Sequence, residues 1–209
     1  MNLFLASSIR DTGKDILKRV ETITQNRRLL FISTASEGEK GDLTWIDDDR
    51  KSLENHGFSV EKYTITGKNQ KEIAEKLKIV GSVCVGGGNT YYLLHQVRKS
   101  GFDQVITEFV KNGLIYIGAS AGSLLAGTTV ETSLDNPEVV PELTDYKGLN
   151  LIDVSIRTHW GNMEMQNRYR REMDRLYDMK QKMIFLRDNQ YLHVKDDWYK
   201  MVSVVERTG

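Results

Sequence analysis

An α/β fold built on a mostly parallel sheet is what this sequence predicts, and three observations predict it. Up to residue 120, apolar runs and amphipathic segments take turns, strand then helix, four times over. That alternation argues right-handed crossovers between parallel strands. Runs such as Arg28 to Thr34 (Arg-Leu-Leu-Phe-Ile-Ser-Thr) are continuous rather than alternating, as strands covered on both faces tend to be. Two glycine motifs follow such runs directly and open helices, at the carboxyl ends of strands where ligands gather in these sheets.

The elements follow in order. Leu3 to Ser7 reads as a first strand with a polar tip, Ser7-Ser8. Asp11 can cap a helix over Thr12 to Thr24, where Ile16, Leu17, Val20 and Ile23 recur at helical spacing. After the strand Arg28 to Thr34 come a loop (Ala35 to Asp42), a helix (Leu43 to Asn55) and a third strand (Gly57 to Ile65). His56, at that helix end, can interact with the last carbonyls and reads as structural. Lys71 to Lys78 is a short helix and Ile79 to Val85 an apolar strand. This strand stops in Gly86-Gly87-Gly88-Asn89-Thr90, and Tyr91 to Lys99 and Phe102 to Lys111 then read as helices. His95, mid-helix, shows no obvious partner. Leu114 to Ile117 runs into Gly118-Ala119-Ser120-Ala121-Gly122, followed by helix-forming Leu124 and Leu125. Beyond Thr128, Leu134 to Tyr146 holds both prolines and reads as a loop over the site. Leu149 to Thr158 is strand-like, Glu164 to Lys182 a charged helix, and Met183 to Leu186, Tyr191 to Lys195 and Trp198 to Val205 three closing strands. The Asp196-Asp197 turn makes the last two a hairpin, with His193 facing solvent.

Composition bounds the function classes. Lys+Arg and Asp+Glu balance at 29 each, without the basic excess of a nucleic-acid surface. No stretch reaches the roughly 18 apolar residues that span a bilayer, and Met1 to Ala6 lacks the pattern of a signal peptide. Cys84 is the single cysteine, which excludes an internal disulfide and fits a reducing cytoplasm. It reads as a small buried hydrophobe rather than a nucleophile. One domain over residues 1–209 is expected.

The chemistry gathers at Gly118-Ala-Ser-Ala-Gly122. Between a buried strand and a helix, this pattern is a nucleophile elbow, with Ser120 at the tip. The glycines keep Cβ atoms away from a sharply bent backbone, and the Ala121 amide, opening a helix, points where an oxyanion would form. The triple-glycine loop lacks the Gly-Lys-Ser/Thr of a nucleotide-binding loop and is a candidate second oxyanion donor. A serine nucleophile needs a base, and the base an orienting third group. Of the histidines, His159 alone follows a strand terminus, where a loop could aim it at Ser120. Asp188, after a strand, and Asp135, in the loop beyond the elbow helix, both qualify as the orienting acid.

Val85-Gly-Gly-Gly-Asn-Thr90, Gly118-Ala-Ser-Ala-Gly122, Asp135-x-Pro137, Gly148-Leu-Asn-Leu151 leading to His159, and Leu186-Arg-Asp188 occur in that order. Together they resemble the peptidase E (aspartyl dipeptidase) family, whose wider clan includes cyanophycinase. The resemblance spans nearly the whole chain. It implies a three-layer α/β sandwich like that of class I glutamine amidotransferases, with a short C-terminal β-hairpin. By the same resemblance Ser120 is the nucleophile, His159 the base and Asp188 the acid, at a position where the family more often has glutamate. Asp135 is the rival acid, Gly88 and Ala121 supply the oxyanion amides, and Asp135, Asn89 and Arg168 are candidates for substrate binding. Relatives that prefer an N-terminal aspartate carry a longer loop after the histidine. Here Trp160 to Gln166 is short, with Arg168, Arg170 and Arg171 close behind, so Arg168 becomes the candidate for gripping a substrate carboxylate.

The expected activity is serine-type hydrolysis of dipeptides or short peptides, those with an N-terminal aspartate among the candidates, through a Ser-His-Asp acyl-enzyme mechanism, with no cofactor and no metal. The expected partner is a small peptide substrate, with neither nucleic acid nor membrane, and a homodimer is compatible with the sequence. Two alternatives stay open. An α/β-hydrolase esterase would use Ser120, Asp135 and His159 in its usual order, although little chain follows Ser120 and the glycine loop lacks the histidine of many lipases. A non-catalytic metabolite-binding protein would keep the elbow idle.

Overall fold

The computed structural model describes residues 1–205, and the final four residues of the expected domain lie outside them. Its first half runs β1 (Asn2–Ala6), α1 (Ile9–Ile23), β2 (Arg28–Ile32), α2 (Thr44–Glu54) and β3 (Ser59–Tyr63). It continues through α3 (Gln70–Leu77), β4 (Ser82–Val85), α4 (Thr90–Ser100), α5 (Phe102–Lys111), β5 (Ile115–Ala119) and α6 (Ala121–Ala126). The second half holds β6 (Ser155–Arg157), α7 (Gln166–Asp178), β7 (Met183–Phe185), β8 (Gln190–Lys195) and β9 (Trp198–Ser203).

Seven strands form one sheet in the order β3-β2-β4-β5-β1-β8-β9. The first five of that order are parallel, and β8 and β9 are an antiparallel hairpin joined to β1. Because successive strand residues point to opposite faces, β1 sends Leu3 and Leu5 into one apolar cluster and Phe4 into the other. The Leu3 side is covered by α3, α4, α5 and α6, through residues such as Ile73, Leu94, Ile106 and Leu125. The Phe4 side is covered by α1 and α2, through Ile16, Val20 and Leu53. The result is a mostly parallel sheet between two helical layers. No helix of the described residues is long and apolar enough to cross a membrane.

Several expectations are corrected. Ser8, not Asp11, is the N-cap of α1, and Asp11 lies in the first turn, where a carboxylate still favours the exposed amides. Of Leu149 to Thr158 only Ser155–Arg157 is strand. The preceding stretch is bonded to the end of α6 instead, Leu149 N to the Leu125 carbonyl at 2.7 Å and Leu151 N to Ala126 at 3.0 Å. β7 is not part of the main sheet, because it pairs in parallel with β6 in a separate two-stranded sheet. The charged helix resolves into a 3-10 turn (Met163–Met165) and α7. His193 does point away from Leu192, but α1 covers that face, and the imidazole stacks on Phe4 with ring centroids 4.4 Å apart. His95 has a partner, Glu142, at 3.5 Å. Cys84 is buried within the sheet, where burial raises its pKa and keeps it a thiol.

Candidate active site

Strand order in the main sheet brings together the nucleophile and its immediate surroundings. β5 lies between β4 and β1, so three strand ends meet at one edge: Ser7 after β1, the Gly86-Gly87-Gly88 loop after β4, and Ser120 after β5. The elbow is sharp. Ser120 has φ 49° and ψ −108°, a region a non-glycine residue occupies only when its surroundings impose it. Its amide is bound by the Ala6 carbonyl at 3.0 Å, and Ser123 Oγ donates to the same carbonyl at 2.7 Å. Below the turn, Tyr116 Oη donates to the Gly122 carbonyl at 2.7 Å. The two glycines are needed for close approach: a Cβ on Gly122 would fall 2.0 Å from the Val85 carbonyl oxygen, and one on Gly118 2.8 Å from Gly122.

His159 arrives from the end of β6 with φ 60°, which turns its ring toward the elbow. Its Nε2 lies 2.8 Å from Ser120 Oγ, and its Nδ1 lies 2.6 Å from Asp188 Oδ1. Ser7 fixes both partners. Its hydroxyl accepts from the His159 amide at 2.7 Å and donates to Asp188 Oδ1 at 3.0 Å. Asn162 Nδ2 donates to the other carboxylate oxygen at 3.0 Å. These hydrogen bonds, the one from His159 first, hold the Asp188 carboxyl down to about 2 against the burial that opposes them. Ser7 and Asn162 were not singled out from sequence. A strand-ending serine carries no signal until it is known that β1 neighbours β5.

Asp135 is placed differently. Its Oδ2 accepts from Thr90 N at 2.8 Å, Thr90 Oγ1 at 2.7 Å and Ser133 Oγ at 2.8 Å. It thus anchors the loop beyond α6 to the start of α4, with no hydrogen bond to His159. Arg168 Nη2 lies 4.0 Å from Asp135 Oδ1 and donates to the Leu134 carbonyl. Asn89 is a correction: it is buried, its side chain caps α4 by accepting from Tyr92 N at 2.9 Å, and it is absent from the cavity wall.

The amides of Gly88, in the loop after β4, and of Ala121, next to Ser120, have no hydrogen-bond partner among the described residues. Gly88 has φ 129°, and a Cβ there would strike the Ala35 carbonyl at 2.4 Å, so only glycine lets the loop pass. Beside Gly88 opens a cavity of about 560 Å³ whose wall includes Ser120, His159, Asp188, Asp135 and Arg168, though not Ala121, whose side chain is buried. Trp45, Asp49, Glu39 and Arg157 also line it, none of them a candidate from sequence. Burial raises Asp49 to about 6, with Arg10 opposing, and raises Glu39 as well.

A hydroxyl, an imidazole and a carboxylate in hydrogen-bonded series, beside two free amides, define the hydrolase class that attacks through serine. Comparison with known proteins agrees. The model of peptidase family S51 matches residues 3–202. An uncharacterised peptidase of Listeria monocytogenes is 34% identical over 163 residues, 77% of this chain and 78% of that one. A peptidase E of a Nostoc species is 40% identical over 118 residues, which is 56% of this chain and 46% of that protein. The crystal structure of a putative peptidase E protein from Listeria monocytogenes superposes with a TM-score of 0.85 at 26% identity, covering 98% of both chains. The chain belongs to peptidase family S51, and it is a serine-type peptidase.

Proposed function

We propose that the protein hydrolyses dipeptides or short peptides through an acyl-enzyme on Ser120, with His159 as base and Asp188 as its orienting acid. The observation that carries this reading is the unbroken series Ser120 Oγ–His159 Nε2–Asp188 at 2.8 and 2.6 Å. In the first step Ser120 Oγ attacks the scissile carbonyl while His159 Nε2 takes the hydroxyl proton. The amides of Gly88 and Ala121 receive the carbonyl oxygen as it becomes negative. Collapse of the tetrahedral species breaks the C–N bond, and His159 gives its proton to the departing amine. Water then repeats the sequence on the ester, returning the proton to Ser120 and releasing the acid. Asp188, held ionised, keeps the proton of the neutral ring on Nδ1, so that Nε2 is free to accept. The buried thiol of Cys84 favours a reducing compartment, and we assign the activity to the cytoplasm.

The test is direct. Ser120→Ala should lose turnover by a factor on the order of 10⁴–10⁶ on a panel of dipeptides, with its circular dichroism unchanged. Wild-type protein should react with a fluorophosphonate probe at Ser120. A purified Ser120→Ala enzyme with undiminished turnover would exclude the serine from the reaction.

A further inference from the structure

Arg157 is the one charged side chain buried among the described residues, at 3% exposure. Its Nη1 donates to the Thr132 carbonyl at 2.6 Å, its guanidinium lies over the Tyr169 ring at 4.7 Å, and its Nε has no acceptor. Neither Thr132 nor Tyr169 brings a negative charge, since burial raises the Tyr169 phenol and keeps it neutral. A buried cation is costly unless something compensates it. Leucine or methionine would fill a purely structural site at less cost. Yet this side chain forms part of the wall of the Ser120 cavity. Arg168, at the same wall, is 43% exposed and already neighbours Asp135, whereas Arg157 feels the Asp135 charge only at a distance and makes no ion pair among the described residues.

We propose that Arg157 receives the C-terminal carboxylate of the peptide substrate, on the leaving-group side of Ser120, and so confines cleavage to very short peptides. The proposal rests on the Ser120–His159–Asp188 reading of the site. Its direction comes from the proton path. His159 must reach the departing nitrogen to protonate it, so the departing residue lies along His159. In a dipeptide the carboxylate is one carbon removed from that nitrogen. Arg157 precedes His159 by two residues, and the two share a wall. A guanidinium meets a carboxylate with two parallel donors, and it would do so here out of bulk water.

The experiment compares neutral dipeptides with their C-terminal amides, and Asp-first dipeptides with theirs, on wild type, Arg157→Lys and Arg157→Gln. Wild type should prefer each free acid over its amide by about a hundredfold or more in kcat/KM, chiefly through KM. In Arg157→Gln that ratio should collapse toward one because cleavage of the free acid falls, and Arg157→Lys should keep part of it. Equal wild-type rates on acid and amide would overturn the proposal. So would a preference for Asp-first peptides that ignores amidation, since the carboxylate recognised is then the first side chain, or a ratio that survives Arg157→Gln. If Arg157→Gln does not fold, the wild-type and Arg157→Lys ratios decide. Fluorophosphonate labelling of Ser120 separates the two levels: labelled enzyme without amide discrimination refutes the Arg157 role alone, while unlabelled, inactive enzyme refutes the site reading beneath it.

Discussion

The Asp188 carboxylate accepts from His159, Ser7 and Asn162, whereas Asp135 accepts from Thr90 and Ser133. The same residue type is therefore set to two tasks, and neutral substitution should separate them. Asp188→Asn should lower kcat by roughly three to four orders of magnitude, because an amide favours the wrong imidazole tautomer. Asp135→Asn should act on KM, by loosening the loop that lines the cavity. Steady-state kinetics of both variants on one good dipeptide check this, and a collapse of kcat in Asp135→Asn alone would exchange the roles. Asp188 also leaves a mark on acid stability. Its folded pKa, about 2, lies below that of an unfolded aspartate, near 4. The stabilisation is therefore present above about pH 4 and lost as pH falls toward 2. Urea midpoints at pH 5 and pH 2.5 should diverge more for wild type than for Asp188→Asn.

At the scale of elements, the strand–elbow–helix unit was legible in five residues because close packing leaves glycine little alternative. Gly122→Ala would drive a methyl group into the Val85 carbonyl, 2.0 Å away, and neither backbone can yield without parting α6 from β4. The expected cost is about 1–3 kcal/mol or more, seen as a lower urea midpoint with turnover reduced in the fraction that folds. The helices were equally legible, since apolar spacing and cap residues such as Asn69, which forms a capping box with Glu72, are local signals. β6 and β7 were not. Each is three residues long, held by partners distant in sequence, and no periodicity can distinguish such a strand from the bonded coil that precedes it.

At the scale of the molecule, the sequence showed a parallel α/β sheet but not the order of its strands. That order decides the site: β1 takes a place between β5 and β8, which carries Asp188, just ahead of β8, to the histidine. The same hairpin holds the half-buried His193, whose Nε2 is shielded and finds no partner. Burial first, then the charges of Arg19 and Lys195, depress its pKa. Below about pH 6.5 the unfolded chain takes up a proton that the folded chain refuses. Stability is thus full above that pH and is lost as pH falls through the folded value. His193→Phe should flatten this part of the profile, and melting temperatures at pH 7.5 and 5.5 measure it.

The Ser7 hydroxyl joins Asp188 across 181 residues of chain, and it also holds the His159 amide. During synthesis, the strand bearing Ser120 is complete long before the segment bearing Asp188 leaves the ribosome. Until then the serine has its elbow but no aligned base. The serine of this design gains its aligned base only when the last strands dock beside the first.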